Sequence, residues 1–446
     1  MNIGIVGGGA LGLAAAYELT RMGHTPAVYE RAPVLGGQAS TFDVGGGRLE
    51  RGYHHLFRSD TSMVELIHEL GLGDKLAWIE SKVGFYHGGR IYPFTTPLDL
   101  LRFSALSFWN RVRLGLVTLY LQRKKYWPRE YERVTAEAWI KRHAGQKVFD
   151  TVWGPLLRGK FGERSGEVSM AWLWGKVYLR VSSRGKGGAK ELLGYPMGSF
   201  AEIFEALERA IRDGGGEVHY PTTVQRVVTD GGRATGLQIQ HADGTSETRS
   251  FDRVLLTAPS SIVPRLAPEL PEEYTRRLTH VQYQAAVLIV LVLDRPLTNV
   301  YWLNIADRTI PFVGLIEHTN FIDKSLYGGN HIVYLSNYLG KESELYAMAP
   351  DDLWQRYIPG LKSINPAFDE SWVKERHYHR EDAAQPIIGL DYSNRIPSLK
   401  TPIEDLWLAN TTQIYPEDRG TNYSVRLGRL VARMMIGEAP VRMWWE

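Results

Sequence analysis

An α/β fold, α+β over the chain as a whole, is predicted by three stretches of sequence. Residues 2–30 run through strand, glycine turn, helix and strand. Residues 406–432 read as a short strand, a polar loop and a helix. Between them, residues 92–180 are helical in character and residues 281–379 carry several strand-like runs. Helical and two-residue periodicities alternate along the chain in the way a mixed architecture requires.

The N-terminal stretch is the most specific. Ile3 to Val6 is an apolar strand. Gly7, Gly9 and Gly12 follow in GxGxxG spacing, Ala10 to Arg21 forms helix, and Pro26 to Tyr29 is a second strand ending on Glu30. This is the Rossmann-like dinucleotide-binding βαβ unit with each part in place. Gly7 permits the tight turn, Gly9 lets a pyrophosphate approach the backbone, and Gly12 lets helix and sheet pack closely. The first-turn N–H groups, at Ala10, Leu11 and Gly12, and the positive end of the helix dipole suit phosphate. Glu30 is placed for ribose hydroxyls, and an acid there disfavours a 2′-phosphate.

The next residues choose between dinucleotides. Arg31 leads into Gly36-Gly37-Gln38-Ala39-Ser40-Thr41. A glycine pair followed by a small hydroxylated residue resembles the extension of the FAD-binding motif in flavin amine oxidases and their relatives. The C-terminal stretch resembles the same proteins: strand Leu406–Ala409, loop Asn410–Thr421, helix from Asn422 through Ser424 to Ala432. The resemblance implies that this helix aims its N-terminus at the flavin ring, where it stabilises negative charge at N1 and C2=O. One departure stands out. The usual Gly-Asp after the strand is Asn410-Thr411 here, so Thr411 takes the acid's position. Glu417 and Asp418 are then either substitutes for it or solvated acids of a surface turn.

The central segments follow the same plan. Phe200, Ile203, Phe204, Leu207 and Ile211 form one apolar face of a helix ending at Gly214-Gly-Gly216. Strand-like runs come next at 217–219, 223–228 and 236–240, and Phe251 to Thr257 is a buried strand ending at Ala258-Pro259. By resemblance, Val224 holds the adenine through its backbone and Ala258 lies near the pyrophosphate. Runs at 281–295, 310–316, 331–338 and 372–379 predict an antiparallel sheet flooring a substrate cavity, with the helical residues as the other wall. The expected segments are 1–90, 191–265 and 396–446 for the FAD-binding domain, 91–190 for a helical subdomain and 266–395 for the substrate sheet. A second GxGxxG-plus-acid unit does not occur, so a separate nicotinamide domain is not expected.

Over essentially its full length the chain resembles the flavin amine oxidase and protoporphyrinogen oxidase superfamily, closest to a bacterial branch of FAD-dependent oxidoreductases. The stretches Glu50-Arg-Gly-Tyr53-His54-His55-Leu-Phe57, Pro155-Leu-Leu-Arg158-Gly-Lys160-Phe161-Gly162, Glu317-His318-Thr-Asn320 and Gln413-Ile-Tyr415-Pro-Glu417-Asp418-Arg419 carry this resemblance. It implies an FAD-dependent oxidase or dehydrogenase taking hydride from a C–H or C–N centre of an organic small molecule. The alternatives are a redox-neutral flavoenzyme resembling UDP-galactopyranose mutase, with Arg158, Arg376 and Arg380 for a diphosphate, or a non-enzymatic flavin-bearing scaffold or lipid-binding protein. Fold alone does not choose among substrates.

Candidate catalytic residues are His54, His55, Glu317 and His318. The histidines follow a loop that runs beside the flavin in relatives, where one could act as base; an ordinary histidine in a tight turn is the other reading. Glu317 and His318 follow an apolar strand, at a cavity mouth or in a plain loop. Tyr301, Trp302, Tyr334, Asn337, Tyr338, Gln385 and Tyr415 are further candidates to line the cavity, or core. The lysine that amine oxidases of the superfamily use near flavin N5 has no assignable counterpart; Lys374 lies in a strand-like run. Metal binding is not expected, because adjacent histidines rarely ligate one ion and no carboxylate pattern surrounds them.

Composition narrows the rest. The 446 residues exceed one ordinary core, and 44% hydrophobic with 23% charged residues is the balance of a water-soluble globular chain. A net charge of +3 gives no argument for nucleic acid. The absence of cysteine rules out disulfides, thiolate metal sites and cysteinyl flavin links. With a strand starting at Asn2 and no apolar run of about 20 residues, neither a signal peptide nor a spanning helix is expected. Residues 98–128 interleave leucines and aromatics with Arg102, Arg111, Arg113, Arg123, Lys124 and Lys125. Such a basic, aromatic, amphipathic helix lies either in a membrane interface or on the core with a basic outer face. The expected location is cytoplasmic, with peripheral contact to the inner face of the membrane through 98–128; the oligomeric state is left open.

Overall fold

The computed structural model describes residues 1–123, 129–182 and 192–439. Lys124 and Lys125, and the boundary placed at 190/191, lie outside the described residues. The N-terminal unit forms as expected: strand β1 (Asn2–Val6), helix α1 (Ala10–Arg21) and strand β2 (Thr25–Tyr29). Helix α2 (Thr61–Glu69) follows, then the hairpin β3 (Val83–His87) and β4 (Arg90–Pro93). A helical region contains α3 (Pro97–Arg102), α4 (Phe108–Arg123), α5 (Gly154–Phe161) and α6 (Met170–Ser182). Helix α7 (Ala201–Asp213) leads to β5 (Glu217–His219), β6 (Thr222–Asp230), β7 (Arg233–His241), β8 (Ser246–Ser250) and β9 (Arg253–Leu256). Then come β10 (Tyr283–Leu293), β11 (Trp302–Ile305), β12 (Gly314–Glu317), β13 (His331–Leu339), α8 (Pro350–Ile364) and β14 (Val373–Pro386). The chain closes with β15 (Leu406–Leu408) and α9 (Thr421–Met435).

Three sheets organise these elements. A five-stranded parallel sheet has the order β15-β9-β1-β2-β5, so strands from the two ends of the chain share one layer. A three-stranded antiparallel sheet, β6-β7-β8, packs beside it. A seven-stranded mixed sheet has the order β14-β10-β13-β12-β11-β3-β4. The boundary expected at residue 90 falls inside its last hairpin, where β3 pairs parallel with β11.

Two strand predictions shift, for physical reasons. The run at 310–316 is a strand only from Gly314, because Pro311 lacks a backbone donor and Ile310 N–H closes a turn onto Asp307 O. The run at 372–379 extends to Pro386. Its middle, Lys374 to Asp382, is polar because β14 is an edge strand facing water.

The core lies on both faces of the large sheet. Along β10, Val287, Ile289, Leu291 and Leu293 pack toward α8, whereas Leu288, Val290 and Val292 join the opposite core. Burial on both faces explains its unbroken apolar sequence. Strand β13 alternates in step: Val333 and Leu335 face α8, and Tyr334 and Tyr338 face the other way.

The two chain ends meet directly. Helices α1 and α9 lie against each other, and a Cβ on Gly428 would stand 2.4 Å from the Leu11 carbonyl oxygen. Arg433 Nε donates to Glu18 Oε1 at 2.7 Å, closing the same contact.

Candidate active site

The glycine turn after β1 is a cradle that tolerates no side chains. Gly7 has φ +115°, and a Cβ there would meet Thr257 Oγ1 at 2.3 Å. A Cβ on Gly12 would meet the Gly7 carbonyl oxygen at 2.0 Å, so only glycine lets α1 start this close to β1. Gly36 and Gly37 also adopt positive φ, +104° and +57°, and Gly9 pairs with Gly36 as an isolated bridge. A Cβ on Gly37 would lie 3.2 Å from Gly9 Cα. The two bare backbones thus face each other at the start of α1. Gly9 caps the helix and no side chain satisfies its first turn, which carries Ala10, Leu11 and Gly12. The N–H groups of a first turn that no side chain caps, the helix dipole and the bare backbones of Gly9 and Gly37 fit a pyrophosphate.

Glu30 is held beside this cradle. Its Oε2 accepts from Gly8 N–H and its Oε1 from Ala32 N–H, both at 2.8 Å. Its carbonyl accepts from Thr222 N–H at 2.7 Å, which brings Val224, two residues along β6, to the same end. Strand β6 shifts register between Val224 and Arg226. Arg31 is exposed and Ala39 buried. Gln38 Nε2 donates to Ala383 O at 2.9 Å, which ties the cradle to the end of β14. Among the described residues no cluster of metal-binding type is present.

At the C-terminal side, Asn410 is structural. It caps the short turn that contains Thr411, and its Nδ2 donates to the Ala258 carbonyl at 2.9 Å. Asn422 Oδ1 accepts from Met63 N–H at 3.1 Å, so its side chain serves the start of α2. Ser424 is buried in the first turn of α9, which no side chain caps.

Glu417 and Asp418 are not a solvated surface turn. Glu417 pairs with Arg426 at 2.9 Å. Asp418 is buried and its Oδ2 lies 2.7 Å from Lys176 Nζ and 3.2 Å from Lys160 Nζ. Burial opposes its ionisation, yet Lys160 and Lys176 hold its carboxyl far below the usual range.

A group of rings and cations gathers next to the cradle. Arg419 Nη2 donates to Tyr338 OH at 3.0 Å and its Nε to Gln385 Oε1 at 3.2 Å. Lys160 Nζ sits 5.3 Å from the centre of the Tyr338 ring. Tyr53 stands edge-on to Trp302 at 4.7 Å. Ala383 and Gln385 are two residues apart on β14, so cradle and cation group touch the same strand end. Burial pushes the Tyr338 phenol up, but Lys160 and Arg419 outweigh it and bring it down to about 8.

The four candidate catalytic residues separate. His54 Nδ1 lies 2.7 Å from Gly52 O, and burial drives its pKa down to about 4, so the ring is neutral. His55 Nδ1 lies 3.0 Å from Tyr301 OH, within a ring cluster that includes Trp302. Glu317 and His318 are not at a cavity mouth. Glu317 is 0% exposed and accepts from Leu297 N–H at 3.0 Å and Thr298 Oγ1 at 2.8 Å; burial raises its pKa to about 7. His318 is buried with Nε2 2.8 Å from Tyr327 OH, and burial lowers its pKa to about 3. Both fasten core loops, because the short helical turn after β12 folds them inward.

Further expected positions also belong to the framework. Tyr334 OH donates to Glu50 O at 2.6 Å, and Asn337 Nδ2 donates to Pro311 O at 2.6 Å. Lys374 is exposed and donates to Asn330. Lys160, Lys176 and Arg419 are the residues that sequence reading did not single out. Two of them stand inside the quoted stretches Arg158-Gly-Lys160 and Asp418-Arg419.

Comparison with known proteins agrees with this geometry. The sequence model for flavin containing amine oxidoreductases matches residues 12–417. A 15-cis-phytoene desaturase of Glycine max is 23% identical, over 98% of this chain and 80% of its own. The protoporphyrinogen oxidase 1 of Spinacia oleracea is 24% identical, over 64% of this chain and 55% of its own. A crystal structure of reduced UDP-galactopyranose mutase superposes with a TM-score of 0.76 at 18% identity, covering 98% of this chain and 94% of that one. The chain belongs to the flavin containing amine oxidoreductase family and is an FAD-dependent oxidoreductase.

Proposed function

We propose that the protein is an oxidase or dehydrogenase that removes hydride from a C–H or C–N centre of a hydrophobic organic molecule. FAD, when bound, supplies the two-electron acceptor for that chemistry. In this reading the N–H groups of α1 and the backbones of Gly9, Gly36 and Gly37 hold the pyrophosphate. Glu30 holds the ribose, Val224 the adenine, and the first turn of α9 faces the ring. Tyr53, Trp302 and Tyr338 orient the substrate and exclude water. His54 and His318 are neutral above about pH 4 and add no charge.

The observation that carries the reading is the aromatic and cationic group around Tyr338, which shares the end of β14 with the glycine cradle. Anaerobic titration of the FAD-loaded protein with amines, porphyrinogens, polyprenoids and sugar nucleotides tests it. Bleaching of the flavin by one class supports the proposal, and no bleaching by any of them speaks against it. For the redox-neutral alternative, Arg376 and Arg380 lie on the outer edge strand. They pair with Asp351 at 3.0 Å and Asp382 at 3.2 Å. Turnover only after dithionite reduction would favour that alternative.

A membrane surface is the proposed source of the substrate. Helix α4 is not amphipathic in the ordinary sense. It buries Leu114 and Leu121 yet leaves Trp109 73% and Leu116 62% exposed, with Phe108, Leu119 and Tyr120 beside them. Leu98 and Leu101 of α3 are exposed too, as are Arg102, Arg113 and Arg123. Apolar side chains rimmed by arginine suit an anionic bilayer surface, such as the cytoplasmic leaflet. No described helix is long and apolar enough to cross a membrane.

A further inference from the structure

The glycine cradle leaves unexplained the charge gathered beside it. Lys160 and Lys176 pair with one carboxylate, Asp418, whose Oδ1 has no hydrogen-bond partner, and the Arg419 charge acts on the same carboxylate. Arg419 donates to two neutral groups, the Tyr338 hydroxyl and the Gln385 amide oxygen. Of the other titratable groups nearby, only Asp60, a buried carboxyl whose ionised form Lys176 favours, adds negative charge. His54 is neutral, Tyr53 is held protonated by burial, and Glu417 is matched by Arg426.

One cation therefore exceeds the negative charge that Asp418 and Asp60 supply. An unmatched charge away from bulk water is strongly unfavourable. Lys160 lies deep between α5, β13 and the 416–420 loop, yet 21% of its side chain remains accessible. The ammonium has three donors and the guanidinium five, more than the contacts above use. Tyr338 bridges the two cations and completes a set of donors suited to an oxyanion.

Resting on the reading proposed above, we infer that Lys160, Arg419 and the Tyr338 hydroxyl form a subsite for an anionic oxygen group of the substrate, a carboxylate or a phosphate. The subsite would fix one end of an otherwise hydrophobic molecule and so set which carbon or nitrogen meets the flavin.

The test titrates FAD-loaded protein with acetate, inorganic phosphate and inorganic pyrophosphate. It follows the visible flavin spectrum and, in parallel, Tm; the second readout needs no flavin. Lys160→Met, Arg419→Lys and the surface control Lys374→Met are compared with wild type. Saturable spectral change and a rise in Tm are expected for wild type and Lys374→Met. Binding at least tenfold weaker is expected for Lys160→Met, and Arg419→Lys should retain part of it. Preference for acetate marks a carboxylate subsite, and preference for the phosphates marks a phosphoryl subsite. The inference is overturned if no anion shifts either readout, or if Lys160→Met binds anions like wild type. Loss of FAD in proportion to the charge removed would also overturn it, since the cations would then serve the cofactor. A protein that takes up no FAD but shows the Lys160-dependent Tm rise would sink the oxidoreductase reading and leave the anion subsite standing.

Discussion

Glu30 Oε2 accepts a hydrogen bond from the Gly8 N–H at 2.8 Å, which clamps the end of β2 to the turn that follows β1. With Ala32 N–H on its other oxygen, the carboxylate is fixed before any ligand meets it. Glu30→Ala removes both acceptors and, in the proposed reading, the ribose contact. Reconstitution followed by flavin fluorescence should show FAD affinity reduced by about 10- to 100-fold, or roughly 1.5–3 kcal/mol. Unchanged affinity would remove Glu30 from the cofactor site.

The contact between α1 and α9 gives a second prediction. Gly428→Ala places a methyl against the Leu11 carbonyl, backbone that cannot move aside. We expect destabilisation on the order of 1–3 kcal/mol. Tm and FAD content should fall together, because α9 and the start of α1 shift apart. A fall in Tm with full FAD content would mean that the two helices hold the fold but not the cofactor.

Glu50 supplies a pH prediction. Its side chain is wholly buried, accepts from Phe200 N–H at 2.8 Å, and its pKa is raised by burial to about 7. A raised acid binds its proton more tightly in the folded state. Its contribution is therefore complete below the unfolded value of 4.5 and is lost as pH rises through about 7. Between about pH 5 and about pH 8, wild type should lose on the order of 2–3 kcal/mol relative to Glu50→Gln. Tm scans of both proteins across that range check the slope; parallel curves would contradict it.

The exposed face of α4 makes a fourth. Vesicles with anionic lipid should pull down wild type and, about tenfold less, Trp109→Ser/Leu116→Ser. Partial burial of the two side chains in the interface, worth roughly 1.4 kcal/mol together, corresponds to that factor. Equal sedimentation of both proteins would count against a membrane contact through α4, and equal binding to neutral vesicles would count against an anionic surface.

The parts legible in the sequence are those encoded locally. Gly7, Gly9, Gly12 and Glu30 lie within one βαβ unit, and the turn that needs them is specified by neighbours in the chain. The apolar run of β10 and the apolar face of α7 are equally local, since burial on both faces imposes the one and burial on one face the periodicity of the other. Lys160 was not legible, because a lysine in a helix looks the same whether it faces water or a buried carboxylate. Its meaning comes from Asp418, far away in sequence. Glu317 and His318 misled for the converse reason: polar residues after a strand suggest an opening, but Thr298 and Tyr327 close over them. The apolar and basic run that contains α4 was legible as a run, but which of its side chains face outward was not, because composition does not show which side of a helix packs on the core.

The FAD content of gently purified protein addresses the central claim most directly. One FAD per chain, retained through gel filtration and lost in a Gly12→Ala variant, is the predicted result. Folded protein that is colourless and takes up no FAD when it is supplied would contradict the account.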